Sequence, residues 1–139
     1  MSEILLEVND LHVSYGVIRA LKGISFKVEK GEIVSLIGAN GAGKTTTLHT
    51  LTGLLHPTHG SVVYKGKDIT KVPAHKIVTM GLVHVPEGRR IFQNLSVYDN
   101  LKMGAYAQKD KAKIAANMEL VFNLFPRLCE RKKQIAGTL

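Results

Sequence analysis

The segment Gly38-Ala39-Asn40-Gly41-Ala42-Gly43-Lys44-Thr45 fits the pattern of a glycine, four residues, then Gly-Lys-Ser/Thr. Each part has a physical purpose. Glycines let a backbone curl until successive N–H groups point inward, where they cradle phosphate oxygens. A helix that starts at the end of such a loop turns its positive N-terminal end toward the same anion. Lys44 is a mobile point charge with reach to a β- or γ-phosphate, and the Thr45 hydroxyl is a hard oxygen ligand suited to Mg²⁺. Average residue frequencies produce the pattern in on the order of one chain in a few hundred of this length. The expected chemistry is the binding of a nucleotide's phosphates together with Mg²⁺. Other constellations are weaker. His12, His49, His56, His59, His75 and His84 are scattered, Cys129 is the only cysteine, and no Ser-His-Asp arrangement follows from spacing.

The loop needs a rigid strand before it and a helix after it. Ile33 to Ile37 is a short apolar run of the type that predicts a strand buried on both faces. Lys44 to Thr52 reads as a helix with Gly53 as its C-terminal cap. Leu6, Val8, Leu11, Val13 and Tyr15 alternate on either side of Asn9-Asp10, which predicts strands paired around a turn. Ile24, Phe26 and Val28 alternate again before a tight turn at Glu29-Lys30-Gly31. Ser61 to Tyr64 and Leu82 to Val85 are further expected strands, with a short helix from Pro73 to about Gly81 between them. Ser96 and Asp99 resemble a capping box that opens a helix near Val97. Ile114, Met118, Val121, Phe122 and Phe125 share one helical face before Pro126, a stripe read as core.

Composition bounds the function classes. The chain has 139 residues, 45% apolar and 22% charged, which suits one globular domain. No apolar run has the length of a membrane-spanning helix, and Met1-Ser2-Glu3-Ile4 lacks the features of a secretory signal. A single cysteine fits a reducing, cytoplasmic setting. The net charge of +8 comes from 19 Lys and Arg against 11 Asp and Glu. These cations are spread along the chain without interleaved aromatics, so they read as solvated helix faces, with nucleic-acid binding as the alternative.

The residues around the loop carry a family resemblance. Ile33-Val34-Ser35-Leu36-Ile37 leading into Gly38 to Thr46, with Leu21-Lys22-Gly23-Ile24-Ser25-Phe26 and the turn at Gly31-Glu32, resembles the Walker A region of ATP-binding-cassette (ABC) ATPases. Gly81 to Phe92 and Asn94 to Leu101 are similar to the ATPases of branched-chain amino acid importers. The resemblance implies an α/β fold, a P-loop NTPase core sheet with an antiparallel β subdomain and the beginning of a helical subdomain. It implies residues 1–95 as core and antiparallel β region and 96–139 as the start of the helical part. It also assigns roles. Tyr15 would stack on adenine beside Ala20; Gly38, Ala39, Asn40, Gly41, Ala42, Gly43, Lys44, Thr45 and Thr46 would hold the phosphates; Thr45 and Glu87 would ligate Mg²⁺. Glu87 stands where most of the family carries glutamine, and Gln93 is its rival for the role. Lys44 and Glu87 are the expected catalytic residues, with ATP and Mg²⁺ as cofactors.

The partners implied are transmembrane permease subunits, a second ATPase subunit and, indirectly, a solute-binding protein, with Phe92, Arg89 and Arg90 as a contact surface. The expected location is cytoplasmic, peripheral on the inner face of the cell membrane. The sequence contains no four apolar residues ending in Asp-Glu, and no Ser-Gly-Gly signature. The expectation is therefore an N-terminal fragment that binds ATP with little or no turnover. The alternatives are a soluble ABC-type protein acting on nucleic acid, a short nucleotide-sensing module, and another P-loop enzyme such as a small-molecule kinase.

Overall fold

The computed structural model describes residues 3–38, 43–88 and 90–139, and it divides into two compact units, Met1–His84 and Val85–Leu139. In the first unit, β1 (Ile4–Tyr15) and β2 (Ile18–Glu29) form an antiparallel hairpin. Its two-residue turn places Gly16 at φ +59°, the positive value that such turns require. The helix α1 (Lys44–Leu51) follows, then β3 (His59–Tyr64), β4 (Lys67–Asp68) and α2 (Ala74–Thr79). The sheet order is β2-β1-β3-β4, all antiparallel.

The alternating residues around Asn9-Asp10 lie in one strand, not in two strands about a turn. Leu6, Val8, Leu11 and Val13 are all buried, yet the step from Val8 to Leu11 is one residue too long for strict alternation. A bulge absorbs the extra residue: Asp10 adopts φ +47°, and the register shifts between Val8 and Leu11. Several groups hold it. Asp10 N–H donates to Ser25 Oγ at 2.8 Å, while its carboxylate meets His12 Nε2 at 3.0 Å and His59 Nε2 at 3.3 Å. Gly60 passes against the bulge so closely that a Cβ there would stand 2.5 Å from the Asn9 carbonyl oxygen. These four inward residues join Leu21, Leu51, Val62, Tyr64, Ile69 and Ile77 in one core.

Helix α1 ends as its sequence predicts. Gly53 is left-handed at φ +82°, Leu54 N–H donates to His49 C=O at 2.9 Å and Gly53 N–H to Thr50 C=O at 3.3 Å, the paired bonds of a Schellman cap. Two expected strands are not formed. Residues 33–37 and 82–85 carry no strand, and Ile33, Ile37 and Val85 are 95%, 92% and 86% exposed. A strand exists only where a neighbouring backbone supplies donors and acceptors. Among the described residues no ladder forms with either segment, so Ile33, Ile37, Val83 and Val85 stay at the surface, while Leu82 is partly buried against the core.

The second unit holds α3 (Val97–Met103), α4 (Lys111–Leu124), α5 (Pro126–Glu130) and a 3₁₀ turn at Ala136–Thr138. Ser96 Oγ accepts the Asp99 N–H at 3.1 Å, so the expected cap opens α3. The returning segment clamps the same end: Val97 N–H donates to Gln134 C=O at 2.9 Å, and Ala136 N–H to Leu95 C=O at 2.8 Å. Val97 and Ala136 are the buried apolar residues there. The stripe on α4 read as core is only half-buried at Ile114, Met118, Val121 and Phe122, and Phe125 is exposed.

Candidate nucleotide site

The first turn of α1 carries the expected phosphate-binding lysine. Gly43 precedes it at φ +95°, a conformation that strains any residue with a Cβ. Space forbids a side chain as well: a Cβ at Gly43 would lie 2.6 Å from Leu21 Cδ2 and 3.0 Å from the Ala20 carbonyl oxygen. The loop's last glycine is thus seated directly on β2. The first intrahelical bond between described residues runs from Thr47 N–H to Gly43 C=O at 2.8 Å. The N–H groups of Lys44, Thr45 and Thr46 precede that bond, and the first turn contains no acidic residue.

The side chains of that turn are arranged around the same end. The Lys44 ammonium donates to the Gly38 carbonyl oxygen. Thr45 is exposed. The Thr46 hydroxyl and the Tyr15 hydroxyl are 3.4 Å apart, so the end of β1 stands beside the start of α1. Tyr15 is half-exposed, with ring surface free to stack, and Ala20 is half-buried next to Gly43. Thr47 faces the interior, where its hydroxyl donates to the Gly43 carbonyl at 2.7 Å. A cation, a helix N-terminal end and no carboxylate fit a polyphosphate; the Thr45 hydroxyl fits Mg²⁺.

Of the expected site residues, Tyr15, Ala20, Gly38, Gly43, Lys44, Thr45 and Thr46 lie in the first unit. Ala39, Asn40, Gly41 and Ala42, and Arg89 of the expected contact surface, lie outside the described residues. Glu87 lies in the second unit, exposed in a bend whose carbonyl accepts Arg90 Nε–H at 3.2 Å. Its rival Gln93 is also in that unit, where its carbonyl accepts Gly137 N–H at 3.0 Å. Sequence reasoning passed over Leu21 and Asn100. Leu21 seats the loop, and its only signal was its place at the head of the segment Leu21 to Phe26 that carries the family resemblance. Asn100 fixes the turn after Glu87: Oδ1 accepts Phe92 N–H at 2.8 Å, and Nδ2 donates to the Phe92 and Ser96 carbonyls at 3.0 Å each. An asparagine in the first turns of a capped helix was its signal.

The family model for ABC transporters matches residues 21–136. The chain belongs to the ABC transporter family. Among its ABC relatives, the High-affinity branched-chain amino acid transport ATP-binding protein BraG of Pseudomonas aeruginosa is 45% identical over 135 residues, covering 97% of this chain and 58% of that protein. The Probable branched-chain amino acid transport ATP-binding protein LivF of Archaeoglobus fulgidus is 32% identical over 135 residues, covering 97% and 57%. The ADP conformation of MJ1267, an ATP-binding cassette of an ABC transporter, superimposes with a TM-score of 0.81 over 99% of this chain and 59% of that one. At 24% identity that likeness speaks for the fold, which is the α/β fold of ABC cassettes. The chain spans somewhat over half the length of these relatives. Among the described residues, no helix is long and apolar enough to cross a membrane.

Proposed function

We propose that this chain is the nucleotide-binding part of an ABC ATPase subunit that powers the import of branched-chain, hydrophobic amino acids. The observation that carries this reading is the 45% identity to a branched-chain amino acid transport ATP-binding protein over 97% of the chain. The geometry at α1 supports it. Lys44 and the loop amides would hold the β- and γ-phosphates of ATP, with Gly38 to Thr46 as the cradle. Thr45 would ligate Mg²⁺, which neutralises charge on the phosphates when bound. Tyr15 would stack on adenine beside Ala20. Because Lys44 rests on the Gly38 carbonyl, nucleotide binding exchanges that contact for a phosphate oxygen. Permease subunits and a second ATPase subunit are the partners of this reading, with a solute-binding protein acting through them. Phe92, Arg89 and Arg90 offer a surface toward the membrane partner. The location is the inner face of the cell membrane.

Phosphoryl transfer needs a group that positions water, in addition to the cradle and metal. This sequence holds no apolar strand ending in Asp-Glu. The 139-residue chain is therefore expected to bind Mg·ATP with little turnover. Titration calorimetry with ATP tests the site. Lys44→Ala removes charge-assisted bonds worth about 1.5–3 kcal/mol, so affinity should fall roughly 10- to 100-fold. Tyr15→Ala should cost on the order of 1–3 kcal/mol of affinity, while Tyr15→Phe keeps most of it. Equal ATP affinity in wild type and Lys44→Ala would refute the reading at the site, and Lys44-dependent turnover at the rate normal for an ABC ATPase would refute the low turnover.

A further inference from the structure

A second electropositive cleft lies in the first unit, formed by the β3–β4 hairpin, the segment after it and α2. It is an open cleft of about 800 Å³, and three lysines line it: Lys67, Lys71 and Lys76. Among the described residues none of the three is ion-paired, since the ion pairs there involve other side chains. The cleft's one carboxylate, Asp68, is already engaged. It accepts the Thr70 N–H at 2.9 Å and the Thr70 hydroxyl at 2.5 Å, which orients it toward its own turn. Thr70 is fixed in its turn, because its Oγ1 accepts the Val62 N–H at 2.9 Å.

The cleft continues. A neighbouring cavity of about 370 Å³ shares Gly60, Thr70 and Lys71 with it and is lined by His56 and His59. The groove thus carries three lysines, of which Lys71 lines both parts, and two histidines, His59 being held by Asp10 at 3.3 Å. Val72 and Met80 lend an apolar wall, which lowers the local dielectric and strengthens charge contacts. Three like charges on one cleft repel each other unless an anion lies between them. The ligand that relieves this must carry several negative charges with acceptor oxygens in series.

We propose that this groove binds a multiply charged phosphate anion, held by Lys67, Lys71 and Lys76 at a site separate from the α1 phosphate loop. Both a free oligophosphate and the phosphorylated headgroup of a lipid have this chemistry. The proposal does not depend on the transport reading, because no residue of the groove belongs to the nucleotide site.

Inorganic tripolyphosphate at low salt is the direct probe, used on the 139-residue chain carrying Lys44→Ala so that the α1 loop is silenced. That variant should still bind the probe. Adding Lys67→Gln, Lys71→Gln and Lys76→Gln should weaken binding at least about tenfold, and the affinity of the parent should fall as salt is raised. Vesicles of phosphatidylcholine with and without phosphatidylinositol phosphate separate the sources. Lysine-dependent sedimentation with the phosphorylated vesicles and no uptake of tripolyphosphate assigns the lipid; uptake of tripolyphosphate assigns the free anion. The three lysines are exposed, so their loss should not lower the melting temperature, and Lys71→Glu provides a single-residue check with the same readouts. Failure of the Lys44→Ala chain to bind either probe, or equal binding after loss of the three lysines, overturns the site.

Discussion

At the scale of single residues, Gly43 is the most constrained position among the described residues of the nucleotide site. Its φ of +95° and its approach to Leu21 and Ala20 act together, so Gly43→Ala faces backbone strain and a clash at once. A non-glycine residue held in this region costs on the order of 1–3 kcal/mol. The variant should melt several degrees lower, by circular dichroism, and should bind ATP worse than that loss alone explains. A wild-type melting temperature in Gly43→Ala would mean that the loop's seat on β2 yields easily. Asp68 gives a test of a different type. Its bonds from the Thr70 hydroxyl and N–H hold its carboxyl below the usual aspartate range. A carboxylate whose folded value is lowered lends stability above its unfolded value, and that stability is lost as pH falls through the folded value. Thr70→Val should therefore be less stable than wild type near neutrality. The gap in melting temperature should narrow in acid, once Asp68 is protonated in both. A gap that stays constant down to pH about 3 would remove the hydroxyl as the cause.

At the scale of elements, the start of α3 is held by one side chain and by the returning chain. Ser96→Ala removes the acceptor for Asp99 N–H and should cost about 1 kcal/mol, read as a lower denaturation midpoint with an unchanged slope. No shift would show that the backbone bonds from Val97 and Ala136 fix this end without help. The cap was legible because Ser96 and Asp99 interact within one turn, and Gly53 was legible for the same reason. The P-loop pattern likewise marked the start of α1 from contiguous residues. Elements that depend on a distant partner were harder to read. Residues 33–37 have the apolar run of a central strand, but such a run becomes a strand only beside another backbone. The spacing of Leu6, Val8, Leu11 and Val13 did contain the bulge, since three steps between two buried neighbours break a period of two. Read locally, Asn9-Asp10 has turn chemistry; it takes the β2 and β3 ladders to show that the strand runs through. Leu21 was invisible as a site residue because its role is a contact across the fold, with no spacing to betray it.

At the scale of the whole molecule, apolar side chains at Ile33, Ile37, Val83 and Val85 face solvent. Exposed apolar side chains of this type favour association. Sedimentation velocity should give a weight-average coefficient that rises with protein concentration, and a dye sensitive to apolar surface should bind. A monomer at all concentrations with no dye binding would contradict the exposure of these segments. The position of β1 in the sheet has a consequence in time. It is the first strand in the chain and a central one in space, with β2 on one edge and β3 on the other. The β2 edge closes through a two-residue turn, an event of about 1–10 µs. The other edge waits for β3, which begins only at His59. On a ribosome adding about 5–20 residues per second, that edge stays open for seconds after the hairpin has formed. For that interval the newborn chain presents an unpaired strand edge, and the residues of the future phosphate loop emerge while it is still unclaimed.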